Sequence, residues 1–338
     1  MTNSQLLLSF AAAILAALLS SFITWAIRPL MLRHALAKPN ARSSHRIPTP
    51  QGAGIAVIAA TLIVAGTAVA FAGAADMKIP VAVFGATLFI AAVGFADDVH
   101  SIPVLPRLLL QGLAVAAVIV AAPDDLRITT ACPLWIERGL ALLAGLWFVN
   151  LVNFMDGLDL MTVAEAVPVT AAIVLLGWTG EAPASATIVA AALCGALLGF
   201  SPFNRPVAKI FLGDVGSLPI GLLLGWCLLQ LAFHDQFVAA LLLPLYYLSD
   251  ATVTLFRRLV RREPFWAAHR SHYYQRATDN GFTVWRVVSE VFALNVGLVL
   301  LAIASTMTAA LSIKILLLAV GNIAVAWVMF RFSRPHQF

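Results

Sequence analysis

The chain has 338 residues, of which 61% are hydrophobic and 11% charged, and its formal net charge is +5. Soluble domains carry about 25% charged residues, so this composition excludes an ordinary soluble protein and indicates a polytopic membrane protein. No long hydrophilic stretch interrupts the sequence, and we expect one integral membrane domain over residues 1–338. Membrane topology explains the basic residues better than a nucleic-acid partner does.

Eleven apolar runs approach the ~20 residues that a helix needs to cross a bilayer. They cover residues 6–27, 53–72, 79–95, 108–122, 136–152, 163–178, 186–200, 218–233, 237–255, 287–306 and 309–330. The first run is expected to stay as a membrane helix, because no basic residue precedes it and no small-residue cleavage site follows it. We therefore predict an all-α membrane protein with about eleven transmembrane helices.

The distribution of basic residues predicts the orientation. If the N-terminus lies outside, the cytoplasmic loops hold all but four of the 21 Lys and Arg residues. Cytoplasmic loops of membrane proteins carry such an excess, so we expect a periplasmic N-terminus and a cytoplasmic C-terminus in a bacterial inner membrane. The acidic clusters below then face the cytoplasm, whereas Asp124 and Asp125 lie in an outer, solvated loop.

Polar groups first appear around the second and third runs. Prolines restrict the loop 42–54 and its glycines expose backbone, so the loop could wrap a phosphate or nucleotide. It could equally be a basic segment that touches anionic lipid headgroups. Asp97 and Asp98 end the third run, where adjacent carboxylates serve as metal ligands or as a base beside a metal. Taken alone, the pair is explained equally well as a polar helix cap.

The stretch 150–159 is the densest polar cluster. Asn150, Asn153, Asp156 and Asp159 follow an apolar run, although a carboxylate at a helix centre in the membrane costs roughly 2.5–3.5 kcal/mol. Residues three apart share a helix face, whereas a turn at Gly157 would bring the groups together differently. Amides read nucleobase or sugar edges and carboxylates bind Mg²⁺ through oxygen, which favours a binding site.

A third cluster precedes the eighth run. Glycines flank Asp214 at a predicted helix start, which offers a carboxylate to a metal and backbone N–H groups to an anion. An N-cap role would explain Asp214 but neither Asn204 nor Lys209. Glu165 and Asp250 lie within apolar runs, and pairing or support of the site is at least as good an explanation for them as catalysis.

The loop 257–286 holds seven arginines and two histidines. Those expected to close over an anionic substrate are His269, Arg270, His272 and Arg276, because arginine forks onto phosphate oxygens. Those that directly follow an apolar run are explained by topology, namely Arg257, Arg258, Arg261 and Arg262. The alternative is that the whole loop is a basic patch that faces lipid.

These motifs occur in an order that resembles a known superfamily. Asp97-Asp98, the run Asn150 to Asp159, Phe211-Leu-Gly-Asp214-x-Gly-Ser and the late histidine motif together resemble the polyprenyl-phosphate N-acetylhexosamine-1-phosphate transferases, glycosyltransferase family 4. The superfamily includes O-antigen, enterobacterial-common-antigen and teichoic-acid initiating enzymes and the peptidoglycan translocase. The likeness covers nearly the whole chain. Leu160 replaces a frequent second glycine, and the shortened histidine motif looks like the O-antigen branch.

The resemblance implies a set of site residues. The metal, Mg²⁺ or alternatively Mn²⁺, is expected at Asp214. The expected catalytic residues are Asp97, Asp98, Asp156 and Asp159. The expected substrate-binding residues are Thr49, Asn153, Asn204, Lys209, His269, Arg270 and His272.

The implied activity is transfer of a HexNAc-1-phosphate from a UDP-N-acetylhexosamine to undecaprenyl phosphate, which would start a surface glycan such as the O-antigen of lipopolysaccharide. Two anionic substrates repel each other until cations neutralise them, which agrees with clustered acids and arginines. The alternatives are a phospho-MurNAc-pentapeptide transferase and a transporter. Acids at one face and no visible inverted repeat argue against a transporter. Membrane lipid is a further partner, and a homodimer is compatible with the sequence.

Overall fold

Helices make up nearly all the secondary structure of the computed structural model, which describes residues 3–34, 36–37, 48–72, 81–263 and 269–335. Apolar runs form helices because a chain in lipid must satisfy its backbone N–H and C=O groups internally. Two short strands, β1 (Leu36–Ala37) and β2 (Thr49–Pro50), pair antiparallel, with Leu36 opposite Pro50.

The helices in chain order are α1 (Asn3–His34), α2 (Gly54–Ala72), α3 (Val81–Val99), α4 (Val104–Val120), α5 (Leu134–Met155), α6 (Met161–Trp178), α7 (Ala184–Phe200), α8 (Asp214–Phe233), α9 (Phe237–Leu242), α10 (Leu245–Val260), α11 (Tyr273–Asp279), α12 (Val284–Thr306) and α13 (Leu311–Phe332). A 3-10 turn, Ser201–Phe203, follows α7.

Within the described part of the chain, eight helices are long and apolar enough to cross a membrane. They are α1, α3, α5, α6, α7, α8, α12 and α13, and α2 and α4 are shorter apolar helices. The prediction of an all-α multi-pass membrane protein is therefore confirmed. The count of eleven spans and the orientation of the termini stay predictions, since length and composition alone decide neither.

The ninth apolar run differs from its prediction as one helix over 237–255. It forms α9 and α10, which are separated at Leu243 and Pro244. Proline has no backbone N–H and its ring clashes with the preceding turn, so it interrupts a helix. The loop after α10 contains the short helix α11, which the sequence pattern did not predict.

The centre of the protein is formed by α7 and α8, whose side chains are almost all buried. Helix α7 packs against α1, α2 and α6, and α8 packs against α2, α3 and α5. Outer helices expose large apolar side chains, including Phe22, Trp25, Leu143, Leu300 and Ile323. Such a surface fits contact with lipid.

Glycines let the ends of α2, α3 and α8 approach each other closely. A Cβ added at Gly94 in α3 would lie 2.3 Å from the backbone oxygen of Asp214. A Cβ added at Gly54 would lie 2.2 Å from the Cα of Gly216. Small residues at helix contacts allow backbones to meet in this way, and here they bring three helix ends to one place.

We expect Gly94→Ala to lower the thermal unfolding midpoint, because its Cβ would collide with α8 and overpacking costs about 1–3 kcal/mol. Gly85 is the matched control, since a Cβ there meets nothing within 4 Å and alanine is the better helix former. Heating detergent-solubilised protein and measuring the folded fraction by size exclusion compares the two. Equal midpoints for both variants would contradict the close contact of α3 and α8.

Candidate active site

Asp98, near the end of α3, holds the first turn of α8. Its Oδ1 accepts a hydrogen bond from the backbone N–H of Asp214 at 2.9 Å, and its Oδ2 accepts one from Val215 at 3.0 Å. The side-chain amide of Gln51 also donates to Oδ1. The first N–H groups of a helix have no partner within it, and a carboxylate there also favours the helix dipole. Asp98 is therefore a cap supplied by a neighbouring helix.

Asp97 lies between a cation and another acid. Its Oδ2 accepts a hydrogen bond from Arg107 Nη1 at 2.6 Å, and its Oδ1 accepts one from the backbone of Ile102 at 2.6 Å. Its carboxyl group also lies close enough to the Asp214 carboxyl group for the two to interact electrostatically. The three acids that the sequence placed at separate helix ends, Asp97, Asp98 and Asp214, therefore lie together.

Asn153 orients Asp214 from α5. Its Nδ2 donates to Asp214 Oδ1 at 2.8 Å and lies 2.9 Å from the hydroxyl oxygen of Ser217. Asn150, one turn earlier, points elsewhere and donates to Gln111 Oε1 at 2.8 Å. The two asparagines of the 150–159 run thus have separate surroundings, and Asn153 belongs to the acidic cluster.

The segment after Asn153 is a turn rather than a continued helix. Helix α5 ends at Met155 and α6 begins at Met161. A Cβ added at Gly157 would lie 2.2 Å from the Tyr274 hydroxyl oxygen. Leu160 has φ of 61°, a left-handed conformation that costs L residues about 1–2 kcal/mol and suits glycine. This explains why a second glycine would fit here, and leucine carries that strain in this chain.

The two acids of this turn are held by different groups. The Thr162 hydroxyl donates to Asp156 Oδ1 at 2.5 Å, and the Ala208 N–H donates to buried Asp159 at 3.1 Å. Burial raises the pKa of the Asp156 carboxyl to about 7, and the charges of Asp98 and Asp159 raise it as well. A nearby cation would oppose this effect, because opposite charge favours the ionised form.

Asn204 braces the turn from the loop before α8. Its Oδ1 accepts from the Leu160 N–H at 2.8 Å, and its Nδ2 donates to the Ile210 carbonyl at 3.1 Å. Its side chain is buried, so these bonds support the turn. Lys209, in the same loop, is exposed. The structure brings Asn204 to the 156–160 turn and leaves Lys209 on the surface.

The first loop contacts the loop before Asp214. Thr49 is buried in β2, and beyond it Gln51 forms a bridge with Phe211. The Phe211 N–H donates to the Pro50 carbonyl at 2.8 Å, and the Gly54 N–H donates to the Leu212 carbonyl at 2.9 Å. The basic part of this loop motif, residues 42–47, lies outside the described residues.

Two acids within apolar runs have structural partners. Glu165 Oε2 accepts a hydrogen bond from Asn295 at 2.7 Å, which ties α6 to α12. Asp250 is fully buried and accepts the N–H groups of Tyr273 at 2.9 Å and Tyr274 at 3.1 Å. It thereby caps α11 as Asp98 caps α8. Two hydroxyl groups also donate to Asp250, those of Tyr246 and Thr254.

Helix α11 lies against the 156–160 turn. The Tyr274 hydroxyl donates to the Phe154 carbonyl at 3.0 Å, and the His272 ring stacks on Phe154 with centroids 6.4 Å apart. His272 Nδ1 lies 3.3 Å from Asp250 Oδ1. A proton donated from Nδ1 leaves Nε2 as the basic ring nitrogen. The His269 ring is 4.9 Å from that of His272, so both histidines lie beside the acidic turn.

Arg270 faces a different space. It donates to the Thr278 hydroxyl at 2.9 Å and pairs with Asp279 at 3.1 Å. It lines a cavity of about 380 Å³ whose other lining residues are Thr254, Arg257, Arg258, Arg261, Glu263, Ser271 and Arg276. The sequence assigned Arg261 and Arg270 to different tasks, whereas the structure places them on the same cavity.

Within the described residues, no group of three or more His, Cys, Asp and Glu side chains is arranged to hold a metal ion. Magnesium does not require such a group, since it is usually bound by one or two carboxylates, with phosphate oxygens and water as the other ligands. The metal site at Asp214 stays a prediction.

Comparison with known proteins places the chain in a family. The model of glycosyl transferase family 4 matches residues 80–232, which contain the acidic clusters from Asp97 to Asp214. The decaprenyl-phosphate N-acetylglucosaminephosphotransferase of Mycolicibacterium smegmatis is 30% identical over 336 residues, covering 86% of this chain and 80% of the relative. The chain belongs to glycosyl transferase family 4.

Other relatives of this family 4 protein are named for the transfer of two different sugars. A probable undecaprenyl-phosphate N-acetylglucosaminyl 1-phosphate transferase of Bacillus subtilis is 24% identical, over 80% of this chain and 78% of the relative. A phospho-N-acetylmuramoyl-pentapeptide-transferase of Shouchella clausii is 28% identical, over 84% and 90%. The resemblance to the superfamily is confirmed, the O-antigen branch stays a prediction, and the comparison does not choose between these two kinds of sugar.

In this family 4 protein, we expect Asp250→Asn to loosen α11. The donors to Asp250 now share two carboxylate oxygens, whereas an asparagine amide has a single acceptor oxygen. A lost buried hydrogen bond costs about 1–3 kcal/mol, so backbone amides of residues 272–279 should exchange with deuterium about tenfold faster or more. Asp279→Asn, at the other end of α11, is the control, since its exposed ion pair is worth little. Equal exchange in both variants would contradict the cap.

Proposed function

We propose that the protein transfers a HexNAc-1-phosphate from a UDP-N-acetylhexosamine to undecaprenyl phosphate, releases UMP and starts a lipid-linked surface glycan such as O-antigen. The main observation in support is that Asp97, Asp98 and Asp214 lie together at the ends of apolar helices, where the charge of Asp98 also acts on Asp156 of the 156–160 turn. The names of the relatives, which include polyprenyl-phosphate and N-acetylglucosamine, support the substrate classes.

The proposed reaction is a single displacement at phosphorus. An oxygen of the acceptor phosphate forms a bond to the sugar-bearing phosphorus of the donor. The bond between that phosphorus and the bridging oxygen breaks, and UMP leaves with the electron pair. Positioning and charge stabilisation supply most of the catalysis in such reactions. The protein therefore has to hold two anions in contact.

Magnesium, or alternatively manganese, fits the acids of this site. The carboxyl groups of Asp97 and Asp214 interact, and two such groups resist being ionised together unless a cation lies close. Asp214 would hold the metal, with Asp97 beside it. When bound, the metal would neutralise the diphosphate and favour departure of UMP.

The contacts suggest different tasks for the paired acids. Asp98 caps α8 with both oxygens, so its task is to hold Asp214 in place rather than to react. Asp97 does not cap α8, and it forms an ion pair with Arg107. This pair would place a guanidinium group beside the acceptor phosphate. An arginine suits this task because its planar fork matches phosphate oxygens.

Donor binding is assigned to the other side of the cluster. Asp156 and Asp159 would face the nucleotide-sugar, together with His269 and His272, which lie beside that turn. Asn204 would act through the turn that it braces, and Thr49 through the loop that packs on Phe211. An imidazole with Nδ1 directed at a carboxylate presents Nε2 to a substrate.

A phospho-MurNAc-pentapeptide transferase is the second candidate, favoured by the relative from Shouchella clausii, 90% of whose length is covered. The short histidine motif of this chain argues for the smaller donor. Membership of a transferase family removes the reason to consider a transporter.

We expect purified protein to move radiolabel from a UDP-HexNAc into undecaprenyl phosphate, and Asp214→Asn to lower the rate by several orders of magnitude. The amide keeps the shape of the side chain but lacks the charge that binds Mg²⁺. Chelation should stop transfer and added Mg²⁺ should restore it. Asp125→Asn, in an exposed loop, is the control.

Two outcomes would contradict these assignments separately. Near-normal turnover of Asp214→Asn at saturating Mg²⁺ would remove Asp214 as a metal ligand. Label entering lipid from UDP-MurNAc-pentapeptide, and from no UDP-HexNAc, would replace the proposed donor while keeping the family chemistry.

The site must face the cytoplasm to meet a UDP-sugar, and thiol labelling of intact cells tests this. In a Cys132→Ser background, a membrane-impermeant reagent should label Asp125→Cys and leave Arg205→Cys unlabelled. Both positions are exposed, and the distribution of basic residues predicts that they lie on opposite sides of the membrane. Cys194 and Cys227 are buried and should not interfere. The reverse labelling pattern would overturn the orientation.

A further inference from the structure

The arginine cavity, defined by Arg257, Arg258, Arg261, Arg270 and Arg276, is formed by two separate elements. The first three residues belong to the end of α10 and the turn after it, and the last two belong to α11 and the segment before it. Its volume is about 380 Å³. The helix dipole favours arginines at a helix C-terminus, as at the end of α10. It does not explain why Arg270 and Arg276, from a second element, line the same cavity.

The charges of this cavity do not balance internally. Five arginines and one acid, Glu263, line it; Glu263 pairs with Arg258 at 2.8 Å, and Asp279, outside the lining, pairs with Arg270 at 3.1 Å. Two acids against five arginines leave a net positive charge. Tyr273 holds two guanidinium groups in place, since Arg257 and Arg276 lie 5.6 and 5.4 Å from its ring centre. Like charges that converge repel each other unless an anion joins them. The cavity is therefore preorganised for an anion with several oxygens, such as a phosphate.

The neighbouring face of α10 indicates the kind of molecule that carries this phosphate. Val253, Phe256, Leu259 and Val260 are exposed, with Phe256 63% and Val260 66% accessible. Their spacing of three and four residues places them on one side of the helix, next to the side that carries the arginines. A helix with an apolar face and a basic face lies at a membrane surface, with its basic side toward anionic headgroups.

We propose that the arginine cavity binds the phosphate of an anionic membrane phospholipid whose chains lie along the apolar face of α10. The guanidinium groups supply the charge complementarity, and the exposed apolar face supplies the contact with the chains. A basic pocket beside membrane helices is suited to such headgroups. This lipid is separate from the acceptor, which belongs at the acidic cluster, so the proposal does not depend on the transfer reaction.

The test uses the full-length protein in phosphatidylcholine nanodiscs, with and without phosphatidylglycerol, and measures the thermal unfolding midpoint. A ligand that binds only the folded protein raises its midpoint. We expect phosphatidylglycerol to raise the midpoint of the wild type by several degrees and to have less than half that effect on the double variant Arg261→Gln with Arg276→Gln. Millimolar inorganic phosphate in phosphatidylcholine should have no effect.

The control is Arg262→Gln with Arg286→Gln, which removes the same charge outside the cavity lining and should respond as the wild type does. If the two double variants respond equally, general attraction to an anionic surface explains the effect and the proposal is wrong. A rise caused by inorganic phosphate alone would overturn the lipid assignment. If the Arg261→Gln and Arg276→Gln double variant does not fold, Arg261→Lys with Arg276→Lys replaces it. Lysine keeps the positive charge but cannot form the paired hydrogen bonds of a guanidinium group. A lipid response equal to that of the wild type would then contradict the site.

Discussion

The hydrogen bonds from α8 to the carboxylate of Asp98 fix the position of Asp214. The Asp98 carboxylate of α3 accepts hydrogen bonds from two backbone N–H groups at the start of α8. Gly213, the residue directly before α8, has φ of 78°. A Cβ at Gly213 would lie 2.6 Å from Asp98 Oδ2, so only glycine leaves room for the bond. Because Gln51 reaches the same carboxylate, this single group joins the first loop, α3 and α8. The acidic cluster exists where these three elements meet.

The same type of cap occurs at Asp250, a buried carboxylate of α10 that accepts hydrogen bonds from the first N–H groups of α11. The caps at Asp98 and Asp250 follow from one constraint. Backbone that leaves a helix near lipid must find partners within the protein, because lipid provides none. Acids at helix ends therefore hold irregular segments in place, and Asn204 does the same for the 156–160 turn. Structural support and chemistry depend on neighbouring members of one polar network.

Much of this arrangement could be predicted from the sequence because the signals are local. Apolar runs predict helices, and acids at their ends predict a common face. The tasks of the individual acids could not be predicted, since a cap is normally sought just before its helix, whereas Asp98 and Asp214 are 116 positions apart. Pro244 was a visible signal for the break between α9 and α10. The cavity shared by Arg261 and Arg270 depends on how the chain folds back at α11, which no periodic pattern records.

The anchoring of α11 also determines what can be exchanged between relatives. This helix has seven residues, too few to hold its shape alone, and it is fixed by Asp250 on α10 and by Phe154 at the end of α5. A chimera that receives only the segment around α11 would acquire a helix without its anchors. The structural unit that holds α11 is therefore discontinuous in the sequence, and substitutions around α11 are constrained by an acid more than twenty positions earlier in the chain.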